Sequence, residues 1–184
     1  ERLFSSWPEG PVPEERQIRG LHSARLWQRE LGPSADFLTR VMGFESLGEE
    51  GGWHRFGLEG GRSGSRLEIR ELPDERRGNW GVGSVHHIAW RVPDEATLLE
   101  VRERVAEADR RPTDVIDRFW FRSVYFTEPG GVLFELATDG PGFAVDEDPA
   151  DLGGTLILPP WLEPHRQRIE AVLPRITLPH EAHS

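Results

Sequence analysis

The sequence predicts an α+β fold: two βαβββ modules forming a cupped mixed sheet, followed by a C-terminal loop and helix extension. Three observations carry this expectation. The order strand, helix, strand, strand, strand occurs twice, and in each copy the apolar spacing switches between period two and a helical period. A glutamate inside an apolar run closes each copy, Glu68 in Leu67-Glu68-Ile69 and Glu135 in Phe134-Glu135-Leu136. Aligning His22 with His87 brings the two glutamates into near register, 46 and 48 positions downstream. A duplication at this period constrains the whole fold, because each unit buries one sheet face only by pairing with another.

The elements follow in order. Residues 1–16 hold Trp7-Pro8-Glu9-Gly10-Pro11-Val12-Pro13, a Pro- and Gly-rich stretch that reads as a linker remnant. The chain opens at Glu1 without methionine, which is expected of a fragment or a processed product. The first module, 17–73, begins with a strand over 20–27. A helix from Pro33 to Met42 follows, with Ala35, Phe37, Leu38, Val41 and Met42 at helical spacing and Gly43 at its end. Strands are expected over 44–48, 53–58 and 66–72. The second module, 82–138, opens with a strand over 84–92 and continues with a helix over 94–108 through Leu98, Leu99, Val101, Val105 and Ala106. Strands over 114–119, 122–127 and 132–137 complete it, with Pro129-Gly130-Gly131 as a turn. The extension, 139–184, runs through a loop, an acidic stretch and a double proline to an amphipathic helix over 163–173.

Composition narrows the function. A formal charge of −10 argues against nucleic acid and anionic membranes as partners and leaves a small molecule. All 22 basic residues are arginine, so Schiff-base chemistry on lysine is excluded. Without cysteine there is no thiol nucleophile, disulfide or thiolate metal site, and any metal must be held by nitrogen and oxygen. No apolar run reaches the roughly 20 residues of a membrane span, and none reads as a signal peptide, so a cytoplasmic protein is the expectation.

The chemistry concentrates on the adjacent pair His86-His87 and on Glu135. Two imidazoles and a carboxylate are the ligand set of a mononuclear iron or manganese centre, which leaves open positions on one side for a substrate and dioxygen. Adjacent strand residues face opposite ways, so only one of the pair can look into a given cavity. A competing reading makes both histidines polar residues at a strand end. Glu135 weighs against it, because a carboxylate among Val132, Leu133, Phe134 and Leu136 is costly to bury without a cation. For Glu68, Arg66 and Arg70 two positions away supply a salt-bridge explanation. The other histidines, His54, His165, His180 and His183, and the scattered tryptophans carry no comparable pattern.

The Val85-His86-His87-Ile88-Ala89 opening and the Gly130-Gly131-Val132-Leu133-Phe134-Glu135 closing strand resemble the vicinal oxygen chelate superfamily, which includes glyoxalase I, fosfomycin-resistance proteins and extradiol dioxygenases. The stretch from Val115 to Gly131, then Ala137 to Phe143 and Asp146-Glu147, is similar to the hydroquinone ring-cleaving dioxygenases. Members of that family carry four modules, so the chain looks like their C-terminal half.

The resemblance implies a non-haem Fe(II) or Mn(II) enzyme that uses dioxygen to open a hydroquinone or catechol-like ring. It assigns His87 and Glu135 as metal ligands, and His86, Arg118 and Tyr125 as residues that contact substrate oxygens or hydrogen-bond to the ligands. Arg118 would hold substrate negative charge, and His86 or Tyr125 would move a proton. The family's remaining histidine ligand lies in its first module. Here His22 would serve in its place, or the missing upstream half would supply it; the expected partners are the aromatic substrate, dioxygen, and an upstream homologous domain or a homo-oligomer. Two rival functions stand beside this one. A glyoxalase-type isomerase or lyase would use Ni(II) or Zn(II) on His22, Glu68, His87 and Glu135, and a non-catalytic half-protein would only bind ligand.

Overall fold

The computed structural model describes residues 4–174. The first module comprises β1 (Ser23–Gln28), α1 (Gly32–Arg40), β2 (Glu45–Glu50), β3 (Trp53–Gly57) and β4 (Arg66–Glu71). The second comprises β5 (Ile88–Val92), α2 (Glu95–Glu107), β6 (Ile116–Asp117), β7 (Arg122–Thr127) and β8 (Leu133–Thr138). Strand order is β1-β4-β3-β2 in one sheet and β5-β8-β7-β6 in the other. In both, the first strand runs parallel to the last and the remaining pairs are antiparallel. The strands thus form two four-stranded mixed sheets, each hydrogen-bonded within its own module.

Local sequence explains the helices. Asp94 caps α2, its carboxylate accepting from Thr97 N at 2.8 Å, and Leu98, Val101 and Val105 turn inward. Pro33 sits in the first turn of α1, Phe37 and Leu38 are buried, and Gly43 leaves the helix at φ +78°.

Strand alternation separates two faces. In the second sheet Val124, Phe126, Phe134 and Leu136 point into the core. Ser123, Tyr125 and Glu135 alternate with them and take the other face. The core is shared between the modules: Phe37 of α1 meets Phe126 of β7 at 5.9 Å, and Phe44 meets Trp90 edge-on at 4.9 Å.

Several boundaries differ from expectation for physical reasons. The strand expected from residue 84 begins at Ile88, opposite Phe134, and β8 begins one residue earlier at Leu133, so residues 84–86 have no β8 residue to pair with. The strand expected over 114–119 shortens to two residues, since Arg118–Phe121 form the turn of the β6–β7 hairpin, closed by Arg118 N donating to Phe121 O. The C-terminal helix reduces to a 3-10 turn at Glu163–His165 and α3 (Arg166–Glu170). His180 and His183 lie outside the described residues. Among those described, no helix is long and apolar enough to cross a membrane.

Candidate metal centre

The His87 imidazole and the Glu135 carboxylate converge on the sheet face away from the apolar core. Glu135 sits in the middle of β8, opposite Ala89 of β5 and Tyr125 of β7. His87 immediately precedes β5, two positions before Ala89, and so lies on the glutamate's side. Its Nε2 is 2.8 Å from Glu135 Oε2, with the carboxylate 5% exposed and the imidazole 32% exposed. The other carboxylate oxygen, Oε1, accepts from Tyr125 Oη at 2.6 Å. Tyr125 packs edge-on against the His87 ring, and the Arg118 guanidinium lies over the tyrosine ring with Nη2 3.5 Å from Oη.

Protonation in this cluster follows from its contacts. Burial, and then the hydrogen bond to Glu135, push the Tyr125 hydroxyl above the ordinary tyrosine range, while Arg118 opposes the shift. The phenol therefore keeps its proton at neutral pH. His86 Nδ1 and His87 Nδ1 are 2.8 Å apart, so one of them donates to the other. If Nε2 of His87 presents a lone pair toward a cation, its proton sits on Nδ1 and His86 accepts. His86 in turn rests against Trp80 at 5.1 Å.

His87 keeps to the glutamate's side, and His86, although adjacent to it ahead of the ladder, stays within reach, the two Nδ1 atoms lying 2.8 Å apart. The structure brings together His86, His87, Arg118, Tyr125 and Glu135. It does not bring His22 to them: that side chain is exposed, with Nδ1 3.2 Å from Ser23 Oγ. Strand register also corrects the alignment of His22 with His87. Arg25 lies opposite Glu68, whereas Ala89 lies opposite Glu135. Two positions before each of these stand Ser23 and His87, so His22 corresponds to His86.

Glu68 has its own cation. Arg25 Nε donates to its Oε2 at 2.6 Å, with Glu68 9% exposed. Arg25 and Arg70 both stack on Trp53. The expectation of a salt bridge was right in kind, with Arg25 across the sheet as the partner instead of the same-strand Arg66 or Arg70.

A divalent cation fits the His87–Glu135 pair as far as the pair goes. Two neighbouring ligands of one ion, each about 2.1 Å from it, lie roughly 3 Å apart, close to the 2.8 Å between Nε2 and Oε2. The buried carboxylate has only neutral or titratable donors beside it. Among the described residues no group of three His, Asp or Glu that could hold a metal is present, so a third protein donor would have to come from elsewhere.

The sequence offered little signal for a third buried carboxylate, beside Glu135 and Glu68. Glu128, 2% exposed after β7, accepts from Gln28 Nε2 at 3.1 Å, Ser34 Oγ at 2.7 Å and Val132 N at 2.9 Å. Gln28 and Ser34 belong to the first module, so this network ties the two modules together.

Two βαβββ modules sharing one core, with an imidazole and a carboxylate convergent on the open sheet face, define a protein of the paired-module class. The chain belongs to the glyoxalase/bleomycin resistance protein/dioxygenase superfamily, whose family model matches residues 20–136. It is 41% identical over 170 residues to a Bacillus subtilis protein bearing the name ring-cleaving dioxygenase MhqA, covering 88% of this chain and 53% of the relative. It is 34% identical over 168 residues to the chlorohydroquinone/hydroquinone 1,2-dioxygenase of Sphingobium indicum, covering 87% of this chain and 50% of that protein. A crystal structure of a Bacillus subtilis protein described as a dioxygenase superposes with a TM-score of 0.86 at 38% identity, over 94% of this chain and 55% of that one. The chain spans about half the length of the curated relatives it matches.

Proposed function

We propose that the chain is the metal-holding half of a ring-cleaving dioxygenase for hydroquinone or catechol-like aromatics. One observation carries this reading: His87 Nε2 and Glu135 Oε2 converge beside Tyr125 and Arg118, in a chain similar to ring-cleaving dioxygenases along most of its length. His87 and Glu135 would hold the ion, with a third ligand from an upstream homologous half or a second copy. Fe(II), or Mn(II) in its place, would supply a Lewis-acidic, redox-active centre where a phenolate and dioxygen meet.

The chain's own residues have defined tasks. Glu135 is held in place by Tyr125 Oη, which fixes one oxygen and leaves the other turned toward His87. Arg118 presents an exposed guanidinium beside the tyrosine, placed to bind a substrate oxyanion. Tyr125, protonated at neutral pH, holds a proton at Oη next to that anion and suits the role of acid. His86 fixes the His87 tautomer through the Nδ1 contact. The isomerase alternative lacks two of its four ligands, since Glu68 is engaged by Arg25 and His22 stands exposed beside Ser23.

The test is Glu135→Gln in the protein reconstituted anaerobically with Fe(II). Bound iron and hydroquinone-dependent oxygen uptake should both fall by at least tenfold. Unchanged iron content with unchanged oxygen uptake would refute the proposal.

A further inference from the structure

The C-terminal extension grips the turn that carries Arg118. Arg118 makes no ion pair with any described residue, and its contacts within the centre are the 3.5 Å approach to Tyr125 Oη and the stack on that ring. An exposed, rotamer-rich side chain so lightly held takes its direction from the backbone beneath it. That backbone is unusual: Phe119 sits at φ +72°, the left-handed region that residues with a β-carbon adopt at a cost. Asp117 Oδ1 accepts from Phe119 N at 2.8 Å and steadies the turn from within.

The rest of the restraint comes from the extension. Trp120 Nε1 donates to Asp146 Oδ1 at 2.9 Å, and Trp120 O accepts from Gly142 N at 2.8 Å. Phe143 stacks on Trp120 at 6.1 Å and meets Phe121 at 6.2 Å, while Trp161 lies edge-on to Phe119 at 6.3 Å. Phe143 and Trp161 are themselves 62% and 52% exposed, so these rings gain little from burial in a core and act as a clasp around one turn.

We propose that Trp120, clasped by Phe143 and Asp146, is a positioning residue that holds Arg118 over Tyr125, so that the extension sets how the guanidinium meets a substrate anion. The catalytic part of this inference rests on the dioxygenase reading; the positioning part does not. It is tested on the full chain with Asp146→Ala, Phe143→Ala and the conservative Asp146→Asn, which keeps the Oδ1 acceptor. In metal-free protein, the order parameter of the Arg118 backbone amide should fall from about 0.85 to below about 0.6 in the two alanine variants, with Asp146→Asn restoring it. In the reconstituted enzyme, kcat/KM for hydroquinone should fall about tenfold in Asp146→Ala, and not further when Arg118→Ala is already present.

An Arg118 amide as rigid in both alanine variants as in the parent, or an equal loss of activity with and without Arg118, would overturn the proposal. A loosened amide in a chain that consumes no oxygen would refute the dioxygenase reading while leaving the positioning intact.

Discussion

Removing the Ser34 hydroxyl should loosen the joint between the two modules. Ser34 is fully buried on α1, and its Oγ donates to Glu128 Oε2 at 2.7 Å across 94 positions of sequence. A hydrogen bond to a charged acceptor contributes roughly 1.5–3 kcal/mol, and truncating the donor leaves the buried carboxylate with Gln28 Nε2 and Val132 N alone. Alanine recovers roughly 0.5 kcal/mol as the better helix former. The net expectation for Ser34→Ala is a loss of about 1–2.5 kcal/mol, a fall in Tm of about 2–10 °C for a domain of this size.

Glu128→Ala should cost at least as much, because it removes the acceptor of all three donors, Ser34, Gln28 and Val132 N. Chemical denaturation followed by far-ultraviolet circular dichroism gives both values. The double variant should lose clearly less than the two single losses added together, since both remove one interaction. Stability within 0.5 kcal/mol of the parent for both single variants, or strictly additive losses, would refute the network as a joint.

Gly130→Ala should destabilise the same joint by about 1–3 kcal/mol through overpacking, since a Cβ there would stand 2.3 Å from Gln28 Cδ and Nε2; thermal unfolding measures it. Tyr125 is the sole tyrosine of the chain, so phenolate absorbance near 295 nm follows its titration directly. Its midpoint should lie above the ordinary tyrosine value, move down in Glu135→Gln and move up in Arg118→Ala. Because the folded-state value is raised, the stability this group contributes is complete below the unfolded-state value near 10 and is lost as pH climbs through the folded one. In the first module, Arg25→Ala leaves Glu68 buried without its cation and should cost about 1 kcal/mol, discounted because the arginine is 62% exposed. Combining it with Ser23→His copies the His87, Ala89 and Glu135 pattern, and calorimetry with Zn(II) should then detect one additional weak site.

Much of the fold was legible because its signals are local. The period of apolar residues marks α2 and β7 almost to the residue, Asp94 announces a helix start, and Pro129-Gly130-Gly131 announces a turn. His87 and Glu135 stood out for the same kind of reason, since a carboxylate in an apolar strand asks for a cation. The boundaries that moved are those where a partner strand decides. Residues 84–87 look like strand but lie outside the ladder, and 118–119 look like strand but belong to a turn whose Trp120 is held from outside by Asp146.

By itself, then, the sequence determined two βαβββ modules and singled out one imidazole and one carboxylate as candidates for a metal centre. The tertiary structure decided which cation engages Glu68, the glutamate the sequence had already set aside as a salt bridge. A parallel pairing is fixed by register, and a shift of one residue exchanges the faces of a whole strand. Register puts Arg25 across from Glu68 and alanine across from Glu135, making one carboxylate a salt bridge and leaving room beside the other. Register likewise makes Ser23, not His22, the counterpart of His87. The burial of Glu128 between modules and the clasp on the Arg118 turn join residues too far apart in sequence for any local pattern to reveal.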